Sequence, residues 1–105
     1  MERFNLPYVV VYIPTYNEAG TIGEVISKIK GLYQGQNQRD YMVDIIVIDS
    51  NSKDDTVKIA KECGATHIIQ EPIKRGLGAA TRMGMQAALE MGADIAVKID
   101  GDMQN

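Results

Sequence analysis

Apolar residues in this chain fall into short unbroken runs separated by stretches with helical spacing. The first run, Tyr8-Val9-Val10-Val11-Tyr12-Ile13, is β-branched and aromatic. That composition predicts a strand covered on both faces, as in parallel sheets flanked by helices, and Pro14 is expected to end it. Ile22, Val25, Ile26 and Ile29 then recur at helical intervals behind Thr21-Ile22-Gly23-Glu24, which has capping-box spacing, so a helix is expected over about residues 21–31. A polar loop over 34–40 leads to a second apolar strand over 42–48. Ser52 and Asp55 repeat the cap spacing, and a helix through Thr56, Val57, Ile59 and Ala60 should stop at Gly64, a candidate left-handed glycine. Thr66-His67-Ile68-Ile69 makes a short third strand, residues 79–91 a third helix closed by Gly92, and residues 95–99 a fourth strand.

Strands alternating with helices predict an α/β fold: a Rossmann-like, doubly wound parallel sheet of four strands and three helices, with right-handed crossovers, as one domain over 1–105. Ligands of such sheets sit beyond the carboxyl ends of the strands. The unusual polar chemistry of this chain is collected there. Pro14-Thr15-Tyr16-Asn17-Glu18 follows the first strand, Asp49-Ser50-Asn51-Ser52 the second, Lys74-Arg75-Gly76 the third and Asp100-Gly101-Asp102 the fourth.

A formal charge of -3 and a pI near 5.0 exclude the basic stripe that a nucleic-acid binder needs; Lys74-Arg75 is the basic pair that stands out. A single cysteine, Cys63, excludes an intrachain disulfide and provides no metal-ligand spacing, so its expected role is packing near a helix end in a reducing, cytoplasmic compartment. The apolar run over 8–13 is too short to span a bilayer and has no cleavage-site pattern, so any membrane association must come through a partner or another region.

On an extended strand, Asp100 and Asp102 would share a face about 6 to 7 Å apart. Two oxygen ligands at that spacing suit Mg2+ or Mn2+, which complete their shells with water and phosphate oxygens; Asp-Gly-Asp is equally ordinary turn chemistry. Lys98 falls on the same face, where it either pairs with one of these carboxylates or reaches solvent. Gly76-Leu77-Gly78 fails the dinucleotide fingerprint, because Thr81 stands where the third glycine belongs and the stretch follows the wrong strand. It also faintly echoes the Gly-rich Thr-Arg loop of sugar nucleotidyltransferases, again at the wrong strand. A phosphoacceptor receiver domain would need an acidic pair after the first strand, where Thr15-Tyr16-Asn17-Glu18 stands. His67 reads as a partly buried structural residue, Met83, Met85 and Met91 as helix packing and surface, and Asp54 and Asp55 as helix N-terminal acids.

Taken in register, four pieces resemble the family 2 glycosyltransferases of the GT-A fold. They are Pro14-Thr15-Tyr16-Asn17-Glu18, the stretch 48–56, Gly76-Leu77-Gly78-Ala79-Ala80, and Asp100-Gly101-Asp102-Met103-Gln104. Within the family the resemblance is to dolichyl-phosphate mannose synthases and related polyprenyl-phosphate sugar transferases, in which a Gln often follows the Asp-X-Asp motif as Gln104 does here.

The resemblance implies an inverting transferase using a GDP- or UDP-linked sugar, and it covers the donor-binding half of such an enzyme. By similarity, Pro14, Thr15, Tyr16 and Glu18, with Ile48, Asp49 and Ser50, would form the nucleobase and ribose pocket. Asp100 and Asp102, flanking Gly101 and followed by Gln104, would hold Mg2+ or Mn2+ against the diphosphate. Lys74 and Arg75 lie where cations would neutralise that diphosphate, and equally where a solvated loop pair would lie. The family pattern has two consecutive acids after the second strand; Ser50 takes the place of the second, which puts the choice of guanine or uracil in doubt. The acceptor site and the group that receives its proton are expected beyond Asn105, so the catalytic base is unassigned and the chain alone is expected not to complete transfer. The fourth strand should then present an open edge that favours self-association or a covering partner. The rival reading is a non-catalytic α/β interaction module that keeps the fold.

Overall fold

The computed structural model describes residues 6–33, 41–72 and 76–101. The elements are β1 (Tyr8–Thr15), α1 (Ile22–Tyr33), β2 (Met42–Asp49), α2 (Thr56–Glu62), β3 (His67–Gln70), α3 (Leu77–Glu90) and β4 (Ile95–Lys98). The sheet is parallel, in the order β3-β2-β1-β4. Of the residues singled out above, Lys74, Arg75, Asp102 and Gln104 lie outside the described residues, as does the polar loop over 34–40.

The unbroken apolar runs are explained by two cores on opposite faces of the sheet. Side chains alternate along a strand, so Val9, Val11 and Ile13 face one way and meet Ile22, Val25, Ile26 and Ile29 of α1, Ala60 of α2, and Ile45 and Val47 of β2. Val10 and Tyr12 face the other way, onto Ile46, Ile48 and Ala80 and Ala88 of α3. Burying both faces of β1 and β2 leaves no polar alternation to be seen in the sequence.

Pro14 does not end β1; it pairs with Ile48 inside the strand. The carbonyls of Tyr8 and Tyr12 accept from Asp94 and Ile99 on the β4 side, whereas that of Thr15 accepts from Ser50 on the β2 side. Pro14 therefore faces β4, whose pairing has already stopped at Lys98 opposite Tyr12. Its missing N–H costs no ladder bond there. β4 itself stops at Lys98, one residue before the expected end and two before Asp100, so Asp100 belongs to a turn and the strand-face argument for the two acids does not extend to it. His67 is exposed at the start of β3, not partly buried.

At Gly84, α3 comes close against the sheet. A Cβ there would lie 2.5 Å from Tyr12 Cδ2 and 2.8 Å from Ile48 Cδ1. Gly84→Ala is thus expected to destabilise the fold by about 1 to 2 kcal/mol, overpacking outweighing the gain of up to about 1 kcal/mol in helix propensity. A lower urea midpoint with an unchanged slope would register this; a midpoint at or above the wild-type value would contradict the close packing.

Candidate functional site at the carboxyl ends of the strands

Two loops at the carboxyl edge are stitched together by hydrogen bonds between groups far apart in sequence. Asn17 N–H donates to Ser52 Oγ at 2.8 Å, and Lys53 N–H returns a bond to Asn17 Oδ1 at 2.8 Å. Glu18 N–H donates to Thr56 Oγ1 at 2.8 Å, and Ala19 N–H to Asp54 Oδ2 at 3.1 Å. Asn17 and Asn51 have φ of 53° and 61°, the left-handed region that asparagine tolerates better than most residues. These turns bring polar side chains back onto the neighbouring loop.

Asp49 is the centre of this arrangement. It is fully buried, and its carboxylate accepts from Thr15 Oγ1 at 2.7 Å, Ser52 N–H at 2.8 Å and Ser52 Oγ at 2.6 Å. Ser50 is also fully buried, and its Oγ accepts from Gly76 N–H at 3.2 Å, which ties the end of β2 to the start of α3. Ile48 belongs to the core beneath α3, and Pro14 and Thr15 are buried in β1. Pro14, Thr15, Ile48, Asp49 and Ser50 are all buried at this edge, directly behind the loops that carry Tyr16 and Ser52.

Tyr16 and Glu18 are half-buried at the surface of the same loop. Glu18 Oε1 accepts from Tyr16 N–H at 3.4 Å and also borders the turn after β4, since a Cβ on Gly101 would come within 2.6 Å of it. Gly101 is buried, Asp100 beside it is exposed, and Lys98 Nζ lies 3.6 Å from Asp100 Oδ1. Of the two alternatives for Lys98, pairing with a carboxylate is the one found, and its partner is Asp100. Both side chains are largely exposed, so the pair adds little stability.

The residues that organise the site were mostly read as helix caps. Thr21 Oγ1 donates to the Gly101 carbonyl at 2.6 Å, while Glu24, its expected capping-box partner, pairs with Lys28 at 3.7 Å. Asp55 occupies the N-cap of α2 without a side-chain cap bond. Asp54 instead accepts from the Thr56 hydroxyl and from Thr56 N–H at 3.0 Å. Desolvation works to raise the Asp54 pKa, but the hydrogen bonds from Thr56 and Ala19 prevail and hold it below its ordinary value. The signal available in the sequence was polar residue type after each strand; the partners were not.

Among the described residues no group of three or more His, Cys, Asp or Glu side chains is placed to hold a metal ion. The donor chemistry at the turn does fit a hard divalent cation of the Mg2+ or Mn2+ kind. Asp100 offers an exposed carboxylate beside a glycine seated without room for a side chain, and such cations take few protein oxygens. No helix among the described residues is long and apolar enough to cross a membrane.

Comparison with known proteins agrees with this geometry. The chain is 33% identical to a UDP-N-acetylglucosamine–dolichyl-phosphate N-acetylglucosaminyltransferase of Methanococcus voltae, over 92% of this chain and 42% of that protein. It is 33% identical to a dolichol-phosphate mannosyltransferase of Pyrococcus furiosus, over 92% of this chain and 26% of that one. The chain thus spans less than half the length of these relatives. Among solved structures, a mannosyltransferase from Pyrobaculum calidifontis in complex with GDP-Man and Mn2+ superposes with a TM-score of 0.70 at 30% identity, covering 92% of this chain and 28% of that chain. Glucosyl-3-phosphoglycerate synthase from Mycobacterium tuberculosis, in complex with Mn2+, UDP and glucosyl-3-phosphoglycerate, superposes with a TM-score of 0.70 at 29% identity, covering 94% of this chain and 35% of that chain. The parallel sheet and its helices are those of the GT-A glycosyltransferases. With the profile of glycosyl transferase family 2 matched over residues 10–104, the chain belongs to that family.

Proposed function

We propose that this chain binds the nucleoside diphosphate of a sugar donor together with Mg2+ or Mn2+, for transfer of the sugar to an acceptor such as a polyprenyl phosphate. The observation that carries the reading is the seating of the Asp100-Gly101 turn directly on the loop that bears Tyr16 and Glu18. A base, a ribose and a diphosphate bound across that edge would meet these groups in order. The GDP-Man, UDP and Mn2+ held by similar structures support the same assignment.

In this reading Tyr16 packs its ring on the base, and Glu18 accepts hydrogen bonds from base N–H or ribose hydroxyl groups. Asp49 orients the loop from behind through Thr15 and Ser52. Asp100 and Asp102 would hold the cation, with Gly101 permitting the close seat, and by the family resemblance Gln104 and the Lys74-Arg75 pair would serve the diphosphate. When bound, the cation supplies charge neutralisation for the departing nucleoside diphosphate.

Titration calorimetry with GDP and UDP, with Mn2+ and with EDTA, is the test. One of the two nucleotides is expected to bind, more tightly with Mn2+. Absence of binding by both under every metal condition would end the proposal.

A further inference from the structure

The N–H of Ile99 donates to the Tyr12 carbonyl at 3.1 Å, and the described residues after it, Asp100 and Gly101, are outside the sheet. The Asp100-Gly101 turn leaves the sheet at that point, yet Gly101 is buried. Two observations account for this. The Thr21 hydroxyl, at the entrance to α1, reaches across 80 residues of sequence to the Gly101 carbonyl at 2.6 Å. On the other side, a Cβ at Gly101 would lie 2.6 Å from Glu18 Oε1 and 3.0 Å from Thr15 Cγ2, so the turn rests directly on the 15–21 loop.

We propose that Thr21 is the positioning residue of the Asp100-Gly101 turn, its hydroxyl holding the Gly101 carbonyl inward against the start of α1. The proposal rests on the reading of that turn as the cation site. α1 is a firm anchor, because Ile22 and Ile26 are both fully buried under the sheet. With the carbonyl held in, the exposed Asp100 carboxylate stays at the surface where a cation can reach it. Without the hydroxyl, a buried carbonyl loses its donor, and the peptide gains by turning toward water. The carboxylate geometry is then no longer set before the cation arrives, and the cost of setting it falls on binding. The loop at the nucleobase end has separate anchors, the N–H groups of Asn17, Glu18 and Ala19 donating to Ser52 Oγ, Thr56 Oγ1 and Asp54 Oδ2, which do not use this tether.

The test compares Thr21→Val, which keeps the shape and removes the hydroxyl, with Thr21→Ser, which keeps the hydroxyl. Mn2+ affinity is read by electron paramagnetic resonance in the presence of GDP or UDP, and nucleotide affinity by calorimetry in EDTA. Thr21→Val is expected to weaken Mn2+ binding about tenfold while nucleotide affinity in EDTA stays within about twofold of wild type, and Thr21→Ser is expected to behave as wild type. Thr21→Ala, which removes the hydroxyl without a second methyl against Gly101, repeats the measurement if valine prevents folding. Unchanged Mn2+ affinity in the hydroxyl-free variant overturns the tether alone, and so does an equal loss with and without Mn2+. Failure of the wild-type protein to bind either nucleotide with Mn2+ overturns the cation-site reading and the tether with it.

Discussion

Replacing Asp100 and Asp102 together by Ala is expected to remove the Mn2+-dependent part of nucleotide binding, a loss of about a hundredfold or more in affinity. Truncating one partner of a close charge pair commonly costs about 2 to 5 kcal/mol, and each 1.4 kcal/mol is tenfold. The fold should not suffer, because Asp100 is exposed and its pairing with Lys98 lies in solvent. Calorimetry with and without Mn2+, beside a thermal melt, separates the two effects. The same pair of substitutions decides between a donor-binding domain and an α/β module that keeps the family fold only to bind partners. A module of that second kind would lose nothing, so wild-type nucleotide binding in the double variant would reject the metal assignment.

Asp49→Ala should have the largest effect on stability of any single change at the edge, about 3 to 5 kcal/mol. The carboxylate is buried and takes three hydrogen bonds, two from Ser52 and one from Thr15, so its removal leaves the buried Thr15 hydroxyl and two partly buried Ser52 donors without their acceptor. Asp49→Asn retains one acceptor and should cost less. Because Ser52 also receives Asn17 N–H, the loop carrying Tyr16 and Glu18 loses its backing at the same time, and nucleotide affinity should fall with stability. Urea unfolding is the direct measurement. A loss below about 1 kcal/mol would mean that Asp49 is not the anchor of the edge.

Asp49 and Asp100 show how differently parts of the site could be read in advance. Both stand just after an apolar run, and in sequence they look alike. One is exposed on a turn and the other is sealed behind two loops, a difference that depends on where β2 and β4 stop relative to β1. β2 stays paired with β1 as far as Asp49, whereas β4 stops pairing at Lys98. Pro14 escaped its expected role as a strand terminator for the same reason: a missing N–H matters only if a neighbour is there to receive it.

Element type, element order and the parallel sheet were legible because each depends on short-range pattern. Continuous β-branched runs require two covered faces, and the spacing of Ile22, Val25, Ile26 and Ile29 requires a helix. The concentration of polar chemistry at one edge followed from that order, since every loop leaving a strand of a parallel sheet emerges on the same side. Partner choice was not legible. Thr21 and Ser52 both occupy cap positions by local spacing, yet Thr21 serves Gly101 and Ser52 serves Asp49 and Asn17. Local spacing determines what a side chain is able to bond; only the packing of the sheet decides which groups, up to 80 residues away, arrive within reach of it.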